Sequence, residues 1–336
     1  MITKGDNKIP ISILDLAVIK EGKTAGDSFH HSLDLAQHAE AWGFKRYWLA
    51  EHHNMPSVAS SATSVLIGYI AGGTQTLRVG SGGIMLPNHA PLVVAEQFGT
   101  LASLYPGRID LGLGRAPGTD QLTARALRRE NIHAEHNFPQ DILQLEQFFS
   151  AENANAKVRA IPGEGLDIPI WILGSSTDSA YLAAMMGRPY AFASHFAPAQ
   201  LMTAIKIYRQ QFKPSQYLDK PYVMACVNVL LADTDAEAQR LATSFYRLFL
   251  GIIRNERKPL QPPIDSMDGV WTEYEQAAAQ QMLTYAFVGS PATIEKELQV
   301  FINETQIDEL MITCNVYEHS ARIHSYQLVS KLFGTK

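Results

Sequence analysis

Apolar residues fall into two alternating kinds of run along this chain. Short aliphatic or β-branched stretches at 11–16, 46–50, 77–80, 109–113, 170–173, 191–193, 222–230 and 309–313 have the length and boundaries of buried strands. Longer segments separate them, with apolar residues on one face. The spacing of Leu33, Ala36, Ala39 and Ala41 predicts a helix over 27–42. Further helices are predicted over 60–72, 91–104, 179–186, 198–212, 292–301 and 320–333, and Pro91 opens the second of these. Eight such alternations imply parallel strands joined by right-handed crossovers, either as a doubly wound open sheet or as a closed barrel. Eight units favour an α/β fold of the (β/α)8 TIM-barrel type. A doubly wound fold would place a glycine-rich fingerprint at the first strand, but residues 14–18 contain no glycine.

Two segments exceed a minimal barrel. Residues 131–165 are polar and carry Pro139 and Pro162; residues 236–285 read as long and helical, interrupted by Lys258-Pro259-Leu260-Gln261-Pro262-Pro263. Both are expected to be insertions on a single domain covering 1–336, since neither has the apolar periodicity of an independent core.

Composition narrows the function. At 336 residues and 46% hydrophobic, the chain needs no covalent staple to bury a core. Lys and Arg number 28 against 33 Asp and Glu, for a net charge of -5 without a basic run, so no nucleic-acid partner is expected. Uncharged apolar stretches such as 63–70 fall far short of the roughly 20 residues that span a bilayer, so no membrane association is expected either. Cys226 and Cys314 lie in apolar runs and read as buried thiols, and the polar N-terminus has no signal-peptide core. These features fit a cytoplasmic protein.

In a barrel the chemistry gathers just beyond the strand C-termini. Glu51-His52-His53-Asn54 follows the second strand. Adjacent residues of an extended chain face opposite ways, and no further His or carboxylate set completes a site, so no metal centre is expected. The histidines are then either hydrogen-bonded core residues or aimed into a substrate pocket. Ser81-Gly82-Gly83-Ile84-Met85 follows the third strand, as a plain turn or as bare backbone for close approach to a flat ligand. Gly114-Arg115 follows the fourth, where Arg115 is either a solvated loop charge or a fork for a phosphate. Leu173-Gly174-Ser175-Ser176-Thr177-Asp178-Ser179 joins the fifth strand to a helix, as ordinary capping or as an anion site. It is not a nucleophile elbow, which needs glycine two residues beyond the serine. Arg115 and this helix start come from neighbouring strands and could clamp one phosphomonoester between them.

Taken together, Ala50-Glu51-His52-His53-Asn54, the run 80–91 (GSGGIMLPNHAP), the run 106–115 (PGRIDLGLGR), the run 173–179, Phe192-Ala193-Ser194-His195-Phe196 and Val288-Gly289-Ser290-Pro291 resemble the bacterial luciferase-like flavin monooxygenases, in family order over essentially the whole chain. The resemblance implies a usually dimeric barrel that binds reduced FMN at the strand C-termini. It further implies a cis peptide at Gly82-Gly83 under the flavin ring with Met85 beside it, and a phosphate held by Arg115, Ser176 and Ser179 next to Gly174 and Ser175. His52 matches the family's active-site histidine, with Glu51 its neighbour, while Asn54 and His195 are candidates for the substrate pocket. His195 reads equally as a structural, hydrogen-bonded histidine. Ser179 stands where the luciferase has threonine, Gly114 where it has a reactive cysteine, and Ser175 where it has glutamate; light emission is therefore not implied. The expected activity is oxygenation by reduced FMN and O2 of a small, largely apolar organic substrate, with the reduced flavin supplied by a separate flavin reductase and the chain acting as a homodimer. Alternatives are an F420-dependent oxidoreductase of the same fold, a noncatalytic flavin-binding protein and, more remotely, a metal-dependent barrel hydrolase.

Overall fold

The computed structural model describes residues 1–128 and 137–335. Nine parallel strands form one sheet: β1 (Ile11–Asp15), β2 (Arg46–Leu49), β3 (Arg78–Met85), β4 (Ile109–Gly114), β5 (Ile170–Gly174), β6 (Tyr190–Phe192), β7 (Val223–Leu231), β8 (Ala286–Gly289) and β9 (Glu309–Thr313). Eight of them close a ring, because β7 pairs with both β6 and β9, and β9 returns to β1. This is the (β/α)8 barrel expected from the alternation. The ninth, β8, lies outside the ring, pairing with residues Asn228 to Leu231 of β7. The sequence reading placed no strand at 286–289, and β8 went unpredicted.

The helices are α1 (Ala25–Ala41), α2 (Thr63–Gly72), α3 (Pro91–Leu104), α4 (Gln121–Arg128), α5 (Phe138–Phe149), α6 (Thr177–Met185), α7 (Leu201–Gln211), α8 (Asp235–Ile253), α9 (Glu273–Met282), α10 (Pro291–Thr305) and α11 (His319–Phe333). Their starts follow local chemistry. Thr24 caps α1 in a reciprocal box, its Oγ1 accepting from Asp27 N and its own N–H donating to the Asp27 carboxylate. At the far end of the chain α11 stops at Gly334, whose φ of 57° suits a residue without Cβ.

Period-two alternation sorts the strand residues into two cores. Ile11, Ile13, Tyr47 and Leu49 face the helices, while Leu14, Trp48, Trp171, Met224 and Met311 fill the barrel interior. Trp48 and Trp171 meet edge to face at 5.2 Å. Beneath them, at the N-terminal ends of the strands, Arg46 donates to Asp110 of β4 at 2.7 Å and to Glu309 of β9 at 2.7 and 3.0 Å.

The two segments expected to be insertions contribute differently. Residues 131–136 of the first lie outside the described residues. The remainder includes α5, which buries Phe138, Ile142, Leu145, Phe148 and Phe149 at helical spacing and packs on α3 as the crossover between β4 and β5. In the second, α8 leaves β7 and packs on β8, and the proline-rich segment returns across the barrel mouth. There Leu260 N donates to Ile19 O and Glu21 N to Leu260 O, each at 2.8 Å, fastening it to the loop after β1.

Candidate active site

The segment after β2 turns sharply, with Asn54 at φ 54°, and brings Glu51 inward. Glu51 is 1% exposed and gathers partners from three segments: His53 Nε2 at 2.8 Å, His89 Nε2 at 2.9 and 3.0 Å, and the Met85 N–H at 2.9 Å. Burial alone would raise the pKa of this carboxyl, but the hydrogen bonds from His53 and His89 and the Met85 amide bring it down to about 2. It is an ionised hub that holds the end of β3 against the β2 loop. Glu51 is not among the residues that line the cavity.

His52 points the other way, as neighbouring residues on an extended chain must. It lines a cavity of about 520 Å3 at the barrel mouth together with His195, beyond β6. The buried Nδ1 atoms of both rings lack a hydrogen-bond partner. Burial is the main cause that lowers their pKa values, to about 4 for His52 and about 3 for His195, which also feels His52 nearby. Both imidazoles are therefore neutral at neutral pH. Leu16, Met55 and Val58 add apolar wall from the loops after β1 and β2, and the far wall comes from residues 247–261 at the end of α8. Asn54 is exposed and faces elsewhere, its Nδ2 donating to Asp120 at 3.0 Å near the start of α4.

Bare backbone marks the ends of β3 and β4. The peptide between Gly82 and Gly83 is cis, and the β3–β4 register shifts between Gly82 and Ile84. A Cβ on Gly83 would stand 2.7 Å from the Gly112 carbonyl oxygen, and one on Gly82 2.7 Å from Leu14. Met85 fills the space beside Gly114, where a Cβ would meet its Sδ at 2.9 Å.

Arg115, Ser175, Ser176 and Ser179 assemble at the adjoining ends of β4 and β5. Ser176 caps α6 by position without a side-chain bond to the helix, which leaves its hydroxyl available. Ser179 Oγ donates to Ser176 O at 2.8 Å and sits 3.1 Å from Tyr190 Oη; a Cβ on Gly174 would collide with it. Arg115 is half-exposed and pairs with Asp178 at 3.2 Å, across the strand end that a phosphate would approach. Such an exposed pair is worth little, so an incoming phosphate can draw the guanidinium away. An uncommitted serine hydroxyl, a helix N-terminus and a loosely held guanidinium suit a phosphomonoester, and the open Nδ1 atoms suit a polar heterocycle at the cavity foot.

Among the described residues no group of three or more His, Cys, Asp or Glu comes together to hold a metal, and no helix is long and apolar enough to cross a membrane. Cys226 and Cys314 are both buried and unpaired. Sequence reasoning missed the Glu51 clasp through His53 and His89 and the cationic far wall at Arg247 and Arg257. Neither follows from local spacing.

Residues 9–308 match the luciferase-like monooxygenase family. The chain belongs to that family. It is 54% identical over 323 residues to a luciferase-like monooxygenase of Escherichia coli (strain K12), covering 96% of each chain. Among solved structures it is similar to apo-MsnO8, at 31% identity and a TM-score of 0.87, covering 98% of this chain and 99% of that one. Two more distant structures share the fold alone. One is the oxygenating constituent of 3,6-diketocamphane monooxygenase from Pseudomonas putida in complex with FMN (TM-score 0.73, 18% identity, 96% and 97% coverage). The other is an F420-dependent secondary alcohol dehydrogenase in complex with an F420-acetone adduct (TM-score 0.70, 13% identity, 98% and 99% coverage). Structures of this fold are thus solved with FMN and with F420, and the luciferase-like monooxygenases place the chain among oxidoreductases.

Proposed function

We propose that this chain is the oxygenase of a two-component, FMN-dependent monooxygenase acting on a small, largely apolar organic substrate. The observation that carries the reading is the pair of neutral imidazoles, His52 and His195, with unpartnered buried Nδ1 atoms in a 520 Å3 cavity at the barrel mouth. Reduced FMN, when bound, would supply the electrons with which O2 is activated and one oxygen atom is passed to the substrate. Arg115, Ser176 and Ser179 would hold its phosphate, and the bare Gly82–Gly83 backbone would lie beneath its ring. His52 would then offer an acceptor for a proton at the reacting centre, in a cavity bounded on its far side by residues 247–261. Family membership supports the remaining parts of the reading: a separate flavin reductase, a homodimer and a cytoplasmic setting. The relative bound to F420 keeps hydride transfer without oxygen as the second reading, with that cofactor in the same place.

The test begins with cofactor choice, by titrating FMN, riboflavin and F420 against the purified protein. Tight FMN binding is expected, and Arg115→Ala should weaken FMN at least tenfold more than riboflavin, since only FMN carries the phosphate. Exclusive F420 binding would overturn the monooxygenase reading. With reduced FMN, O2 and a panel of aldehydes, ketones and thioethers, His52→Ala should keep FMN affinity and lose turnover by about a hundredfold or more. Unchanged turnover in that variant would remove His52 from the chemistry.

A further inference from the structure

The far wall of the cavity carries cations among its apolar residues. Arg247, Arg254, Arg257 and Lys258 all line it, against a single carboxylate, Glu256. Two of these cations are neutralised locally. Arg254 forms a fork on Glu275 at 2.7 and 2.9 Å, and Lys258 pairs with Glu256 at 2.9 Å. The other two are held more loosely. Arg247 donates to the Pro262 carbonyl at 2.8 Å, and the nearest carboxylate to Arg257 among the described residues is Asp120, at 4.0 Å. Their surplus positive charge faces the space that His52 faces, and His52 senses Arg257 electrostatically. The opposite wall, Leu16, Met55 and Val58, carries no charge. Nothing about FMN explains this arrangement, because the residues suited to the phosphate stand apart at the ends of β4 and β5.

We propose that the cavity selects substrates with an anionic head, specifically a carboxylate, on an apolar body, and that Arg257, backed by Arg247, reads the head. The proposal rests on the reading of this cavity as the substrate site. The head meets the guanidinium of Arg257 in a charge-assisted pair that a low-dielectric pocket strengthens. The body then lies along Leu16, Met55 and Val58 and reaches toward His52. The two cations favour an anion over a neutral polar group, which brings them no compensating charge.

Calorimetric titration of the whole chain tests this with straight-chain carboxylates from butanoate to decanoate against the alcohols of matching length. The best carboxylate should bind at least tenfold tighter than its alcohol. Arg257→Gln should weaken it about tenfold and leave the alcohol unchanged, and Arg257→Lys should restore part of the loss. Equal binding of acid and alcohol, no carboxylate binding across the panel, or an Arg257→Gln variant with unaltered selectivity would each overturn the proposal. FMN affinity is measured on the same variants. If Arg257→Gln weakens FMN as much as the carboxylate, the wall serves the cofactor and the proposal falls. A chain that binds carboxylates through Arg257 but neither FMN nor F420 would instead end the flavin reading and leave the anion site standing.

Discussion

Glu51 and His52 are neighbours in sequence with opposite fates, and the difference is one of partners. Glu51 accepts hydrogen bonds from His53, His89 and the Met85 amide and stays ionised, whereas His52 has none at Nδ1 and stays neutral. The sign for stability follows from the histidine pKa values of about 4 and about 3, both below the unfolded value of about 6.5. As pH falls through that window the unfolded chain takes up protons that the folded chain refuses, so stability is lost on acidification. The charges acting on His52 are those of Glu51, which opposes the shift, and of His53 and Arg257, which reinforce it; His195 in turn feels His52. Urea midpoints should therefore drop between pH 7 and pH 5, with each of the two rings contributing on the order of 1–2 kcal/mol. The double variant His52→Ala/His195→Ala should flatten that drop without abolishing it, because His31, with a pKa also near 4, remains. An unchanged slope would mean that both rings protonate freely in the folded chain. The placement of His52 and Arg115 just past strand ends was legible in the sequence, because the strands before them read as clear apolar runs. The clasp on Glu51 was not, since His53, Met85 and His89 converge on it only after β2 and β3 pair.

Among the elements, the strands buried on both faces, which read as continuous apolar runs, were the easiest to read, and the one built on glycine the hardest. The sequence ends the third strand at Gly80, yet β3 continues through Gly82 and Gly83 to Met85, because glycines carry no apolar signal although their backbone still pairs with β4. Helix α5 escaped for a related reason: its apolar face is surrounded by polar residues and prolines, so 131–165 read only as a polar insertion. Close β3–β4 packing makes a direct prediction. A Cβ on Gly112 would stand 2.2 Å from the Ser81 carbonyl oxygen and 2.8 Å from Leu173, with no flexible side-chain tip to yield on the backbone side. Gly112→Ala should cost about 1–3 kcal/mol, read as a lowered Tm. In Gly26→Ala the new methyl group meets only Thr24 Oγ1 at 3.5 Å inside α1, so that variant should be neutral or slightly stabilising. Equal Tm values for the two variants would show that the strands can part without cost.

At the scale of the whole molecule, the barrel separates stability from chemistry along its axis. The site gathers at the C-terminal ends of the strands, and the opposite end is closed by charge. Arg46 is 4% exposed and bridges Asp110 and Glu309, so one guanidinium joins β2, β4 and β9 across the barrel floor. Arg78 adds a second pair to Asp110, Ser12 and Tyr222 donate to Glu309, and the Arg46 guanidinium lies 4.7 Å from the Trp171 ring centroid. No local pattern marks these residues, which are distant in sequence and meet only when the ring closes. Removing one carboxylate leaves a buried guanidinium half-compensated, so Glu309→Gln should destabilise by about 3–5 kcal/mol in urea or thermal unfolding. Because β9 is the last barrel strand and β2 the second, the loss falls on ring closure and should lower the stability of the barrel as one unit. The protein that remains folded should bind FMN as before, since neither the cavity nor the Arg115 corner touches the floor. A Glu309→Gln variant that keeps its stability but loses flavin affinity would reverse this assignment and make the floor part of the site.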